Sequence, residues 1–225
     1  FTGSTPVGKY LAERSAATLK KLSLELGGNA PFIVFDNCDI DAAVQGLLAA
    51  KLRNGGQTCV CPNRIYVQDK IYAEFAERLV AKVKQMKVGL PTETDTAIGP
   101  MINQKAIDKI SHHVQDAVAK GGVLLCGKVE PIKQWFFAPV VIAEANNKMA
   151  LFSEETFGPV LPLFRFNTEE EALFAANDTE FGLAAYFYSS DHQQINRVSQ
   201  ALQVGVMGIN EGAISSEIAP FGGVK

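Results

Sequence analysis

The chain has 225 residues, of which 47% are hydrophobic and 20% charged, and its formal net charge is −3. This length and composition allow a sizeable globular core, while the slightly acidic balance argues against a nucleic-acid-binding surface. No apolar run approaches the roughly 18 residues of a membrane-spanning helix, and four cysteines are too few for a disulfide scaffold, so we expect a reducing compartment.

Strand-like apolar runs alternate with amphipathic helical stretches along the chain. A helix is predicted to start at Thr5-Pro6, because proline fits the first helical turn, and further helices are predicted after caps at Asp39, Thr168 and Asp191. Strands are predicted over residues 31–35, 64–68, 123–126, 137–143, 160–166, 184–189 and 204–210. This alternation predicts an α/β fold with a largely parallel sheet flanked by helices.

One stretch between these elements shows no periodic spacing of apolar residues. Residues 88–102 contain prolines and glycines without a repeating apolar pattern, and they are predicted to form a loop.

Two cysteines stand two positions apart in the stretch GGQTCVCPNR, residues 55–64. Zinc sites usually combine two pairs of closely spaced ligands, whereas the other cysteines lie far away in this sequence. His112 and His113 are adjacent on a predicted helix, so their side chains diverge by roughly 100°. We therefore expect no metal site and interpret both histidines as solvated.

The same stretch is better suited to a nucleophile. Cys59 follows a glycine-rich turn, where backbone amides can approach a ligand. A thiol needs a cation, a helix end or a base nearby to ionise at neutral pH, and Arg53 could supply positive potential or bind an anionic substrate. These residues alone leave another interpretation open, in which Cys59 and Cys61 are small buried side chains in a tight turn.

A carboxylate in a second stretch is a candidate general base. Glu25 lies in LELGGNAP, residues 24–31, with apolar neighbours and two glycines after it. An apolar environment favours the protonated form of a carboxylate and brings it toward the range useful for proton abstraction. A single glutamate of this kind is also compatible with an ordinary strand edge.

These two stretches together resemble the paired active-site signatures of the aldehyde dehydrogenase superfamily. Further matches follow in the same order, namely FTGS (1–4), EETFGPV (154–160), NDTEFGLAA (177–185) and PFGGVK (220–225). Within the superfamily, RNGGQTCVC and INEGAIS (209–215) look most like succinate-semialdehyde dehydrogenases, with relatives acting on glutarate semialdehyde as the alternative.

The resemblance implies a role for each matching residue. Cys59 would be the nucleophile that adds to the aldehyde, with its own N–H holding the oxyanion, and Glu25 would activate the water that hydrolyses the thioester. Gly3 and Ser4 would meet the cofactor pyrophosphate at a helix N-terminus. The remaining cofactor contacts, to NAD or NADP, would come from Glu155 at the nicotinamide ribose and Phe157 near the nicotinamide.

The resemblance also implies a substrate and a possible regulatory device. Arg53 and Ser215 match positions that bind the carboxylate of a semialdehyde, and a bidentate arginine–carboxylate pair is geometrically selective. Cys61 matches a cysteine that can form a reversible disulfide with the nucleophile, which would make it a redox switch. So short a loop strains disulfide geometry, so inert packing of Cys61 remains the competing interpretation.

The resemblance covers the whole chain but implies a larger protein. Residues 1–24 would be a remnant of a dinucleotide-binding domain, and residues 25–225 would be the catalytic domain. We expect a homo-oligomer, a dimer or tetramer, in the cytoplasm, or in the mitochondrial matrix if the source is eukaryotic. Two other hypotheses stay open: a catalytically silent assembly domain, and a thiol-redox module built on Cys59 and Cys61.

Overall fold

A computed structural model describes all residues from Phe1 to Lys225. The helices are α1 (Thr5–Ala16), α2 (Ile40–Leu52), α3 (Asp69–Val83), α4 (Gln104–Ala119), α5 (Ala150–Ser153), α6 (Glu169–Asn177) and α7 (His192–Ala201). The strands are β1 (Ala30–Val34), β2 (Pro62–Gln68), β3 (Lys87–Val88), β4 (Thr96–Ile98), β5 (Val123–Cys126), β6 (Val140–Ala145), β7 (Val160–Phe166), β8 (Ala184–Tyr188) and β9 (Val206–Ile209). None of the helices has the length and apolarity needed to cross a bilayer.

Seven strands form one sheet in the order β5-β6-β7-β2-β1-β8-β9. Every neighbouring pair is parallel except β5 with β6, which is antiparallel. The prediction of an α/β fold with a largely parallel sheet is therefore confirmed.

The sheet separates two hydrophobic layers, because successive side chains of a strand point to opposite faces. In β1, Phe32 and Val34 belong to a cluster of 27 buried residues that includes α2 and α3. Ile33 lies in a second cluster of 23 buried residues, which includes residues of α4, α6 and α7. Burial on both faces explains why β1 and β8 are continuous apolar runs.

Local signals in the sequence set several helix ends. The Asp39 side chain accepts a hydrogen bond from the Ala42 amide at the start of α2. Thr168 and Glu171 form the predicted capping box of α6, in which each side chain bonds the other residue's backbone amide. These bonds satisfy amides of the first helical turn that have no partner inside the helix.

The structure corrects two predictions. Residues 88–102 are not wholly a loop, because β3 and β4 pair as a short parallel ribbon, held in part by the Gly89 amide bonding the Ile98 carbonyl. The interpretation of both helix histidines as solvated is wrong for His113, which is fully buried, whereas His112 is exposed. His113 lies three positions after Ile110 on the apolar face of α4, so its helical position buries it.

Three neighbouring parallel strands determine where the predicted site residues lie. In the order β7-β2-β1, each strand is preceded by a short segment that carries one of them: Glu155 before β7, Cys59 before β2 and Glu25 before β1. Parallel strands present their amino ends at the same edge of a sheet. The sheet order thus brings three segments together that are far apart in the sequence.

Candidate active site

A cavity of about 640 Å³ opens at this edge of the sheet. It is lined by both predicted catalytic residues, Cys59 and Glu25, and by the two predicted substrate contacts, Arg53 and Ser215. The four predicted cofactor residues also line it, namely Gly3, Ser4, Glu155 and Phe157. Its size falls within the range of about 300–1,000 Å³ that is usual for small-molecule sites.

The turn before Cys59 depends on backbone that glycine adopts easily. After α2 ends, Asn54, Gly55 and Gly56 take positive φ angles of 51°, 65° and 80°. A side chain on Gly56 would also stand 2.4 Å from the Gly158 carbonyl oxygen, so a larger residue cannot fit without moving the backbone. This close approach packs the turn that precedes Cys59 against the segment that carries Phe157.

Cys59 itself sits in a tight turn, closed by the Cys61 amide bonding the Thr58 carbonyl at 3.2 Å. Its side chain is part-buried, and its backbone N–H bonds no carbonyl. A free amide beside the sulfur is what an oxyanion formed at this position requires.

Electrostatics around Cys59 favour the neutral thiol. Burial raises the pKa of Cys59, its own backbone N–H partly offsets that, and the carboxylates of Glu155 and Glu25 raise it further. Arg53 is not among the charges that act on this thiol. The suggestion that Arg53 supplies positive potential to the sulfur is therefore not supported, which leaves its other suggested role at the cavity wall.

Glu25 is held at the cavity by the first residues of the chain. Its amide bonds the Phe1 carbonyl at 3.0 Å, and its carbonyl accepts from the Gly3 amide at 2.9 Å. Two glycines follow, and a side chain on Gly28 would meet the Cys59 carbonyl oxygen at 2.0 Å. The segment after Glu25 and the Cys59 turn are therefore in direct backbone contact.

Glu155 joins the same junction. Its Oε1 accepts a hydrogen bond from the Gly28 amide at 2.9 Å, while Oε2 accepts none within the chain. Burial raises the pKa of Glu155, and the Gly28 N–H partly offsets this. Phe157, two residues on, has a φ of 56°, an uncommon value for a bulky side chain, and it presents its ring to the cavity.

Arg53 and Ser215 meet across 162 residues of sequence. The Arg53 guanidinium donates to Ser215 Oγ at 3.3 Å, and both side chains line the cavity. Arg53 is exposed and has no carboxylate partner. Its remaining donors are available to an anion.

Cys61 points away from the cavity, into the core. It is 1% exposed, its thiol donates to the Gly56 carbonyl at 3.1 Å, and the ammonium of Lys51 lies 3.8 Å from its sulfur. Lys51 also donates to Asn63 Oδ1 at 2.9 Å. Burial lowers the pKa of Lys51. These contacts are those of a packed interior residue, and they favour the packing interpretation of Cys61.

Comparison with known proteins decides the family. The chain matches the aldehyde dehydrogenase family over residues 1–225. It belongs to that family. Among curated relatives it is 54% identical to a succinate semialdehyde dehydrogenase of Acinetobacter baylyi and 53% identical to a glutarate-semialdehyde dehydrogenase of Pseudomonas putida. The alignments cover all of this chain and 47% of each relative.

A solved structure of the family has the same fold. A crystal structure described as an NADP-dependent enzyme of Escherichia coli superposes with a TM-score of 0.98 at 50% identity, covering 100% of this chain and 47% of the other. The chain thus spans about half the length of the aldehyde dehydrogenases that it matches.

Sequence analysis missed three buried polar residues around the site, although two of them gave a signal. Lys51 lies on the apolar stripe of α2, four positions after Leu47, and His113 lies on the apolar stripe of α4. A polar side chain on the apolar face of a helix indicates a buried group whose hydrogen bonds are made inside the protein. Nothing in the sequence marked Arg64 as buried, because β2 is buried on both faces and no periodic pattern distinguishes its positions.

Proposed function

We propose that the complete protein is an NAD- or NADP-dependent dehydrogenase that oxidises a semialdehyde carrying a terminal carboxylate, with succinate semialdehyde as the first candidate. One observation carries the proposal: Cys59, Glu25 and Arg53 line a single cavity. These are the nucleophile, base and anion contact that the reaction needs, and they come from three separate segments.

The chemistry follows from the placement of these groups. The Cys59 sulfur adds to the aldehyde carbon and forms a thiohemiacetal, whose oxyanion accepts a hydrogen bond from the free Cys59 N–H. The proton of the thiol passes to a carboxylate of the cavity. A bound nicotinamide would supply the acceptor for the hydride that leaves the thiohemiacetal carbon, and a thioester would remain on Cys59. Glu25 then takes a proton from water, which attacks the thioester and releases the acid and the thiol.

Two features of the cavity support a nicotinamide dinucleotide. Ser4 makes no side-chain cap on α1, so amides of the first helical turn are free to bind a diphosphate. Glu155 keeps Oε2 unpaired at the cavity wall, and a carboxylate oxygen is a good acceptor for ribose hydroxyls. Gly3, Ser4, Glu155 and Phe157 are the residues that would hold the cofactor.

Charge supports the choice of substrate. A semialdehyde acid carries its negative charge at the end away from the aldehyde, and that charge needs a partner once it leaves bulk water. Arg53 and Ser215 supply a cation and a hydroxyl on the wall of the cavity that also holds Cys59. The relatives named for succinate and glutarate semialdehyde both act on substrates of this type.

The packing of the first residues supports a division of the chain at residue 25. Among residues 1–24 only Gly8 is buried. Apolar side chains there are exposed, including Val7, Tyr10 and Leu22. We propose that residues 1–24 belong to the dinucleotide-binding domain of the complete protein and that residues 25–225 form its catalytic domain.

Steady-state rates with a panel of aldehydes test this function. The protein expressed from its complete reading frame should reduce NAD or NADP with succinate semialdehyde. We predict that Arg53→Ala lowers kcat/KM for this substrate by roughly tenfold to a hundredfold, the value of about 1.5–3 kcal/mol for a hydrogen bond to a charged group. An uncharged aldehyde of similar length should lose far less.

The matched control is Arg197→Ala, which removes an exposed arginine that pairs with Glu169 outside the cavity. It should change neither substrate's rate. Equal losses on charged and uncharged aldehydes with Arg53→Ala would contradict the assigned anion contact. No cofactor reduction with any aldehyde would favour the silent assembly domain instead.

A further inference from the structure

His113 is a buried group that the proposed mechanism leaves unused. Its side chain has no exposed surface. Both ring nitrogens have partners: Nδ1 lies 3.1 Å from Thr156 Oγ1, and Nε2 lies 3.2 Å from Glu154 Oε2. Because both side-chain partners of this buried histidine lie on one short segment, its hydrogen bonds hold that segment against α4.

The chemistry of the partners fixes the direction of these bonds. A carboxylate accepts hydrogen bonds only, so Nε2 carries the proton toward Glu154. In the neutral ring Nδ1 is then an acceptor, and the Thr156 hydroxyl donates to it. Burial lowers the pKa of His113, as do Lys109 and His112 nearby, while Glu154 raises it. The neutral ring with its proton on Nε2 therefore fits both hydrogen bonds.

Thr156 lies between two residues of the cavity wall. The residue is 3% exposed and its hydroxyl faces α4, whereas Glu155 and Phe157 on either side line the cavity. Glu155 in turn bonds the Gly28 amide, and Gly28 lies against the Cys59 carbonyl. A contact at Thr156 therefore fixes the segment from which both neighbouring side chains project.

We propose that His113 is a positioning residue for the nicotinamide end of the cofactor, acting through Thr156 on Glu155 and Phe157. This inference rests on the proposed function, because it takes those two residues as cofactor contacts. His113 touches neither substrate nor cofactor. Its role is to keep the 154–157 segment in the one conformation that presents the Glu155 carboxylate and the Phe157 ring together.

Three variants of the complete protein test the proposal. His113→Leu removes the hydrogen bonds to Thr156 and Glu154 and fills the buried position with an apolar side chain. His113→Asn retains a polar group that can reach about as far as Nδ1 and take the Thr156 hydrogen bond. His112→Leu is the matched control, since it changes the exposed neighbour on the same helix. Each is titrated with NADH and NADPH by fluorescence, and hydrogen exchange is measured by mass spectrometry over residues 154–157.

We expect His113→Leu to weaken nucleotide binding about tenfold, within the range for coupling through packed side chains, and to speed exchange over residues 154–157. KM for the cofactor should rise by a similar factor while kcat at saturating cofactor changes less than about twofold. His113→Asn should recover most of the affinity, and His112→Leu should match the parent. A purely structural role would lower thermal stability without this pattern of rescue.

Unchanged nucleotide affinity in His113→Leu would overturn the proposal. Should that variant fail to fold, Thr156→Val removes the partner hydroxyl with little change of volume, and unchanged affinity there would overturn it equally. A parent that binds neither nucleotide would instead contradict the proposed function. In that case the exchange measurement still shows whether His113 fixes the 154–157 segment.

Discussion

At the scale of single residues, the candidate nucleophile is kept as a thiol by its surroundings. Burial and two carboxylates raise the pKa of Cys59, and no nearby cation lowers it. A resting thiol is less open to oxidation than a thiolate, because the thiolate is the reactive form. In the proposed mechanism, the thiol therefore loses its proton as it attacks the aldehyde, and a neighbouring carboxylate accepts that proton.

This arrangement predicts the pH dependence of alkylation at Cys59. Because burial and these carboxylates raise the pKa of Cys59, the iodoacetamide rate should still be rising at a pH where the rate for an exposed cysteine thiol has reached its plateau. Glu155→Gln removes a charge that raises this pKa, so the whole profile should move to lower pH. Mass spectrometry of the peptide that contains Cys59 measures the rate. A plateau near neutral pH in the parent would contradict the account.

The environment of Cys61 predicts its response to oxidation. Its sulfur is buried and bonded to the Gly56 carbonyl, so we expect it to take no part in inactivation. Peroxide should inactivate Cys61→Ser and the parent to the same extent, with equal rescue by added thiol. Reversible inactivation in the parent and irreversible inactivation in the variant would instead establish the disulfide switch.

At the scale of secondary-structure elements, Arg64 joins three of them. Its guanidinium is fully buried and donates to the carbonyl of Asn29, just before β1, and to those of Ala175 and Ala176 in α6. It also contacts the Tyr66 hydroxyl on its own strand. Cations near a helix C-terminus are favourable. No carboxylate pairs with Arg64, so these oxygen acceptors, together with the Tyr66 and Phe152 rings beside the guanidinium, compensate for its burial.

Removing this side chain should destabilise the protein strongly. Arg64→Ala removes the guanidinium donors of the buried Asn29 and Ala176 carbonyls. Each unpaired acceptor costs about 1–3 kcal/mol, so we expect a loss of unfolding free energy of about 3 kcal/mol or more. The control is Arg165→Ala, whose arginine is exposed and pairs with Asp69 and Glu144. Exposed pairs are worth about 0–1 kcal/mol. Equal shifts of the thermal midpoint in both variants would contradict the assigned role.

The elements themselves were largely predictable, because their signals are local. Apolar runs marked the buried strands, and Asp39 and Thr168 marked helix starts that the structure confirms. The ribbon of β3 and β4 was not predictable, because strands of 2 and 3 residues are too short to show a periodic apolar pattern. The short helix α5 was missed for the same reason.

At the scale of the whole molecule, the site depends on the order of strands rather than on any one motif. Glu155, Cys59 and Glu25 converge because β7, β2 and β1 are neighbours in the sheet. Strand order is set by packing between distant segments, and periodicity does not reveal it. The resemblance to a family supplied the residues of the site, whereas their shared edge of the sheet became visible only in the structure.

The same limit applies to the interior contacts around the site. The bonds from His113 to Thr156 and from Lys51 to Asn63 link residues 43 and 12 positions apart. Both polar residues lie on apolar helical stripes, which shows that they are buried. Their partners come from elsewhere in the chain, Thr156 from the segment between α5 and β7 and Asn63 from β2, so the sequence alone did not identify them.

In the proposed mechanism Cys59 and Glu25 act in turn on one substrate, and trapping the thioester separates their two roles. In Glu25→Gln the amide keeps the shape of the carboxylate but cannot activate water. Incubated with succinate semialdehyde and cofactor, this variant should accumulate a succinyl adduct on the peptide that contains Cys59, released by hydroxylamine and absent from Cys59→Ser. Undiminished turnover of the Glu25→Gln variant, or an adduct on another cysteine, would contradict the account.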